Sequence, residues 1–421
     1  MNAPAHNSWL HHFAVLTAAA TFLLLGVGGL VTSHGAGMAV PDWPNTYGYS
    51  MFLFPVSQWV GGILYEHSHR LLGTFVGLLT AILAVWLWAR ETQGRIRWLG
   101  IAGILGVLVL MGVRKLPVYV ALAALATIVI AAALWQFKQN FGALHWLGVA
   151  ALAAVILQGV LGGLRVVWLK DEIGIFHATL AQLFFVLICA VALFTSKWWN
   201  QASSPLPSLP SDGRVEQQSF GFHCLRRVVL ATTLLILGQL ILGAAMRHQH
   251  AGLAIPDFPL AYGKLWPAMD ADSVARYNQQ RVEVVAANPI TAFQIGLQMA
   301  HRLMAFVILI CVGTVAWLVR RWSPRFSVSG GGDNLKVGLQ RLVCFWLGLI
   351  LAQVAFGAWT IWSNKAADVA TAHVLVGALS LVTGVVGCLI CFRRSARVTE
   401  ARGAPHSEAA CTNRPPATVN P

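Results

Sequence analysis

The sequence predicts an all-α polytopic membrane protein of about ten transmembrane segments, built as two four-helix bundles with an inserted hydrophobic hairpin. Three observations predict it. Of 421 residues, 57% are hydrophobic and only 10% charged, which is too little polar surface for a soluble chain of this size. Apolar runs long enough to cross ~30 Å of hydrocarbon recur along the chain. The two halves also repeat each other: residues 36–48 read AGMAVPDWPNTYG and residues 251–263 read AGLAIPDFPLAYG.

The apolar runs place helices near 12–33, 62–89, 98–113, 117–137, 145–168, 173–196, 226–246, 291–319, 340–362 and 368–392. The first run is long and only weakly basic at its start, so it is kept as a helix rather than a cleaved leader. Segment 98–137 has no counterpart in the second half. Its opening WLGIA, from Trp98, resembles WLGVA, from Trp146, so it is expected as an inserted hairpin, with a re-entrant segment as the alternative. Residues 197–224 contain SSPLPSLPSDG and are expected as a flexible cytoplasmic linker. The division is then an N-terminal half, 1–196, a linker, 197–224, a C-terminal half, 225–393, and a cytoplasmic tail, 394–421.

The net charge of +14 raises a nucleic-acid reading, which its distribution removes. Arg90, Arg95 and Arg97, then Lys138, then Lys197 to Arg227, Arg320 to Arg341, and Arg393 onward fall in alternate loops. This alternation follows the positive-inside rule. It puts both termini in the cytoplasm, on the inner membrane of the cell, and loops 34–61 and 247–290 outside. Arg114 and Lys115 run against the rule. The seven cysteines, Cys189, Cys224, Cys311, Cys344, Cys388, Cys391 and Cys411, fall in helices or on the cytoplasmic side, so none is placed for a disulfide.

Each repeated loop leads into a helix carrying His-Arg-Leu, at His69, Arg70 and Leu71 and at His301, Arg302 and Leu303. Further on, Gln158 with Gly162 corresponds to Gln353 with Gly357, and His177 and His373 follow the glutamines by 19 and 20 residues. Each half therefore carries one histidine on its second helix and one on its fourth, near the outer end. Four residues after each histidine stands a small residue: Gly73, Ala181, Ala305 or Gly377. An i, i+4 pair shares a helix face, so a flat macrocycle could lie against the backbone there. Neutral imidazole is a good ligand for haem iron, and the pairs His69 with His177 and His301 with His373 would each hold a b-type haem. A lone membrane histidine more often bonds across helices; four at repeated positions favour haem.

Glu66 breaks the repeat. It lies three residues before His69, on the same face, and its counterpart is Gln298. Ionisable groups at membrane depth are costly and usually functional. The asymmetry points to chemistry in the first half, with Glu66 as proton acceptor or donor beside a porphyrin edge, and to a permanent cofactor in the second. A solvated Glu66 at the membrane surface is the bland alternative. Arg70 and Arg302 are offered as partners of haem propionates, against pairing with Asp42 or Asp257, or snorkelling. Trp43, Phe258, Tyr47 and Tyr262 read as interfacial anchors. His67 points to another face of its helix. His34, His248 and His250 read as solvated loop rather than as metal ligands.

The run Glu66-His67-Ser68-His69-Arg70, the two Pro-Asp-aromatic-Pro loops, the QGVLGG stretch at 158–163 and the two later histidines resemble the heme A synthase family. The resemblance covers about 20–392, apart from 98–137. It implies two four-helix bundles related by a pseudo-two-fold axis. It implies ligand histidines at His69, His177, His301 and His373, an essential glutamate at Glu66, a haem b in the C-terminal bundle and the substrate heme O in the N-terminal one. The implied reaction converts a porphyrin methyl to a formyl by successive hydroxylations and loss of water from the gem-diol. Implied partners are heme O synthase, an electron carrier and the lipid bilayer; a homo-oligomer stays open. Many members carry a cysteine pair in the first outer loop. Here those positions are Val40 and Thr46, and in the second loop Ile255 and Ala261, so any thiol step is absent or replaced. A two-haem electron-transfer cytochrome, or a haem transporter or chaperone, would share the four histidines but not the need for Glu66.

Overall fold

The computed structural model describes residues 7–113, 115–201, 214–280, 289–321 and 332–403. Among the described residues it is all-helical, and ten helices are long and apolar enough to cross a membrane. In chain order the helices are α1 (Ser8–Ser33), α2 (Gly61–Glu91), α3 (Gly94–Met111), α4 (Leu116–Gln139), α5 (Leu144–Trp168), α6 (Asp171–Thr195), the short α7 (Lys197–Gln201), α8 (Arg214–His248), the short α9 (Ala271–Gln279), α10 (Ala292–Arg321), α11 (Gly332–Trp362) and α12 (Ala367–Gly403). All ten expected spans are present, so the chain is a multi-pass membrane protein.

Two rings of helices organise the molecule. In the first, α1, α2, α5 and α6 each pack on the next; in the second, α8, α10, α11 and α12 do the same. Between lipid-exposed helices there is no water to expel, so close packing supplies the association. Leu83, Leu87, Ile188 and Val191 fill the centre of the first ring, and Val312, Val315, Trp346 and Leu381 that of the second. Small residues join the rings where α1 meets α12: Gly26 faces Leu375, and a Cβ at Gly29 would stand 2.8 Å from Thr371 Cγ2.

The inserted segment forms two separate helices. At about 1.5 Å per residue, even α3 extends roughly 27 Å, the thickness of a thin bilayer core. Ile104 of α3 packs on Ala81 and Ala84 of α2 and Leu152 and Ile156 of α5, while Tyr119 and Leu122 of α4 pack on Val160 and Leu164 of α5. The hairpin therefore lines the outside of the first ring and leaves its interior untouched.

Three boundaries differ from expectation. Helix α8 begins at Arg214, inside the expected linker, while 202–213, with the whole SSPLPSLPSDG stretch, lies outside the described residues. Helix α12 runs on to Gly403, so the start of the expected tail is helical, and Cys411 lies outside the described residues, as does Arg114. The outer loop before α10 contains α9. Asp270 caps it by accepting from Ser273 N at 2.9 Å, a bond that lowers the pKa of the Asp270 carboxyl below its ordinary value. That nine-residue helix is polar on most of its surface, and a search for apolar runs passes over it.

The repeated loop sequence folds the same way twice. Asp42 accepts from Tyr47 N at 2.7 Å and Gly48 N at 2.8 Å, and Asp257 accepts from Tyr262 N and Gly263 N at the same distances. Tyr47 and Gly48, like Tyr262 and Gly263, have positive φ, which the glycines adopt at no steric cost. Both loops contain a cis peptide, at Trp43–Pro44 and Phe258–Pro259. Each tyrosine hydroxyl donates back into its own loop, Tyr47 to Ala39 O at 2.6 Å and Tyr262 to Ala254 O.

Candidate functional site

The four repeated histidines are seated alike. Each ring lies against a glycine of the transmembrane helix before it. A Cβ on Gly28 would stand 2.9 Å from His69 Cε1, on Gly162 3.3 Å from His177 Cε1, and on Gly243 and Gly357 3.4 Å from the Cε1 atoms of His301 and His373. A side chain at any of these glycines would crowd the ring. Among the described residues, all four rings have a buried Nδ1 with no hydrogen-bond partner.

A glutamine one turn before the glycine fixes three of the four helices. Gln158, Gln239 and Gln353 donate to the backbone carbonyls of His177, His301 and His373, at 3.0, 3.0 and 2.6 Å. The fourth place, one turn before Gly28, is Leu24, so His69 lacks this clamp. Of the small residues expected to face a macrocycle, Gly377 makes room for Leu240 and for Gln353 itself, whereas a Cβ at Gly73 would meet only Leu24, at 4.0 Å.

The structure brings His301 and His373 together, with ring centres 6.4 Å apart. A metal held by one nitrogen of each ring, at the bond length of about 2 Å usual for imidazole, separates two ring centres by roughly 6 Å. Either imidazole nitrogen can ligate iron, so this pair fits a haem iron. His69 and His177 lie in the same ring of helices, against Gly28 of α1 and Gly162 of α5. Elsewhere, among the described residues, no three His, Cys, Asp or Glu side chains gather to hold a metal ion.

Glu66 is buried, which removes the reading of a solvated surface carboxylate. One oxygen accepts from Val40 N at 2.8 Å and the other from Arg70 at 2.6 Å. Gln298 repeats the first bond, accepting from Ile255 N at 2.6 Å, and its amide donates at 3.3 Å to Gly252 O and Ile255 O. Both residues therefore latch an outer loop, and only Glu66 does so with a carboxylate paired to a guanidinium.

Arg70 and Arg302 are engaged elsewhere than expected for propionate partners. Arg70 donates to the carbonyls of Asp42, Asn45 and Val40 as well as to Glu66. Arg302 donates to the carbonyls of Leu260 and Asp257 and stacks on Phe258. Each follows its histidine directly and so turns toward the loop. The alternative pairing with Asp42 and Asp257 holds, through backbone oxygens rather than carboxylates.

Other sequence readings shift. Trp43 wedges against Gly163 of α5 and Tyr119 of α4, and Tyr262 stacks on Tyr277 at 3.6 Å, so both aromatics hold their loops in place. His248 is buried against Gly174 of α6 and is not a solvated loop residue. His67 does face away from His69: Phe54 and Trp59 enclose it, and its Nδ1 meets Thr46 Oγ1 at 3.2 Å. Val40, Thr46, Ile255 and Ala261, at the positions of the missing thiols, are all buried. The cysteines of the described residues are free.

Sequence reasoning noted Gln158 with Gly162 and Gln353 with Gly357 but missed Gln239 with Gly243, Gly28, and two cations, Arg165 and Arg247. The spacing Gln-x-x-x-Gly, present three times, was the available signal. Arg247 reaches from α8 to α1, where it donates to Gly29 O at 2.6 Å and to Ser33 Oγ.

Comparison with known proteins accords with this arrangement. The profile of the family described as cytochrome oxidase assembly protein, COX15-CtaA, matches residues 118–385. A heme A synthase of Geobacillus kaustophilus is 25% identical over 402 residues, 93% of this chain and 93% of that protein. A heme A synthase of Lysinibacillus sphaericus is 24% identical over 315 residues, 74% and 75% of the two chains. One from Arabidopsis thaliana is 24% identical over 197 residues, 47% and 38% of the two. With more than half its length matched, including His177, His301 and His373, the chain belongs to the COX15-CtaA family of cytochrome oxidase assembly proteins.

Proposed function

We propose that this chain is a heme A synthase, which oxidises a methyl group of heme O to a formyl group and so supplies heme A for assembly of a terminal oxidase. The observation that carries the reading is the set of four rings, each seated on a glycine and each with a buried, unpartnered Nδ1. Family membership and the names of the relatives support it.

In this reading the N-terminal half, 1–196, takes heme O between His69 and His177. The C-terminal half, 225–393, holds haem b between His301 and His373, and the two are related by a pseudo-two-fold axis. A bound haem b would supply a one-electron redox group. The methyl carbon loses four electrons and gains one oxygen atom on becoming a formyl, so with water as the oxygen source an electron carrier must accept four electrons and four protons must leave the site. Glu66 is placed to accept them, three residues before His69. Arg70 keeps three carbonyl acceptors of its own, so its position does not depend on the Glu66 carboxylate, which can exchange a proton without loosening the loop. Heme O synthase is the proposed supplier of substrate. The alternation of basic loops supports an inner-membrane protein with cytoplasmic termini.

Pigment extracted from cells co-expressing this chain with a heme O synthase tests the reading. Heme A or a hydroxylated precursor is the expected product; heme O alone overturns it. The like seating of all four rings also fits a two-haem electron-transfer cytochrome. That reading requires two equally retained haems per chain, whereas a synthase retains one and exchanges the other.

A further inference from the structure

We propose that Arg165 binds a carboxylate of the porphyrin substrate and fixes its rotation in the first half. The proposal rests on the reading of His69 and His177 as the substrate-haem site. Two axial histidines hold a disc at its centre but leave it free to turn about the axis they define. Oxidation of one particular methyl needs a contact at the rim as well.

Arg165 is placed to make that contact. It lies on α5, three residues after Gly162, on which the ring of His177 rests, and residues three apart share a helix face. Its guanidinium lies under the first outer loop, with Nη1 and Nη2 at 3.0 and 3.2 Å from where a Cβ on Gly37 would sit. Any larger residue at 37 would displace it. The carboxylates at this end of the first half are Glu66, which is paired with Arg70, and Asp171, in the first turn of α6. Neither is within ion-pair distance of Arg165: among the described residues its guanidinium has neither an ion pair nor a hydrogen bond.

The neighbouring cations are committed. Arg70 holds loop carbonyls and Glu66, and Arg247 holds Gly29 O and Ser33. Arg165 retains its donors, in a fork that matches a carboxylate. The equivalent place in the second half, three residues after Gly357, is Thr360, whose hydroxyl bonds Phe356 O at 2.8 Å. A rim contact on one side only is what a substrate site beside a resident-cofactor site requires.

The test is titration of the purified full chain, carrying its resident haem, with ferric protoporphyrin IX and separately with its dimethyl ester. Uptake of the added equivalent is followed in the Soret band. The native chain should bind the diacid about tenfold or more tightly than the diester, as expected for a charge-assisted contact. Arg165→Gln should lose that preference while keeping the diester affinity, and Arg165→Lys should restore part of it. Equal binding of acid and ester by the native chain overturns the proposal without needing any variant, and leaves the substrate-haem site standing. So does an undiminished preference in Arg165→Gln whose resident-haem spectrum is intact. If the native chain takes up no added equivalent at all, the substrate-haem reading and this proposal fall together.

Discussion

Arg70 sits 2.6 Å from the carboxylate of Glu66, one turn away on α2, and together the two hold the backbone of the first outer loop. The matching latch in the second half is made by an uncharged amide, Gln298. The structural task of the position therefore needs no carboxylate. Retention of one at Glu66, in a segment where an ionisable group is costly, calls for a chemical reason.

Glu66→Gln separates the two tasks. The amide can still accept from Val40 N, as Gln298 does from Ile255 N, so the loop and both haem sites should persist. Oxidation should fall by about 100-fold or more, the usual cost of removing a general acid or base. Haem content by pyridine haemochrome and product by chromatography measure the two effects separately. Full activity with normal haem content would show that Glu66 is only a latch.

The glycine seats should rank by their clearance. Gly28→Ala places a Cβ 2.9 Å from the His69 ring, closer than real Cβ contacts come, whereas Gly243→Ala and Gly357→Ala leave 3.4 Å. Gly28→Ala should abolish uptake of the exchangeable haem and leave the resident one unchanged. The other two should shift the resident-haem spectrum slightly. Reduced-minus-oxidised spectra of the three purified variants distinguish these outcomes.

The missing clamp at Leu24 should show in haem exchange. Gln239→Leu removes a bond worth about 1 kcal/mol in a membrane interior, so loss of haem from the His301 and His373 pair should become roughly fivefold faster. Leu24→Gln should slow exchange at His69. Transfer of haem to an excess of apomyoglobin gives both rates. If Leu24→Gln leaves exchange unchanged, clamping of the histidine carbonyl does not govern retention.

Asp42 satisfies two backbone N–H groups in the first outer loop. Asp42→Ala should cost about 1–3 kcal/mol and open that loop to proteolysis, releasing the Trp43 wedge and the Gly37 contact to Arg165. Limited proteolysis with mass analysis should show new cleavage between α1 and α2, and none between α8 and α10.

Spans were legible because the bilayer imposes length and composition together, and α2 or α10 could be drawn from apolar content alone. Helix α9 was hidden for the same reason: Ala271–Gln279 is polar and sits outside any apolar run. The histidines and the exceptional Glu66 were legible because the loops AGMAVPDWPNTYG and AGLAIPDFPLAYG set a register in which like positions could be compared. Arg70 and Arg302 misled, since adjacency to a ligand in sequence is about a 100° turn on a helix, enough to aim both at the loop. Arg165 stayed invisible because nothing in its own sequence neighbourhood shows that Gly37, from a distant loop, would lie over it.

The most direct test of the whole reading is mass analysis of the porphyrins made in cells that co-express heme O synthase with either the native chain or His177→Ala. Heme A, or its hydroxymethyl precursor, from the native chain and heme O alone from His177→Ala is the expected result. Heme O alone from the native chain, or heme A at native levels from His177→Ala, would contradict it.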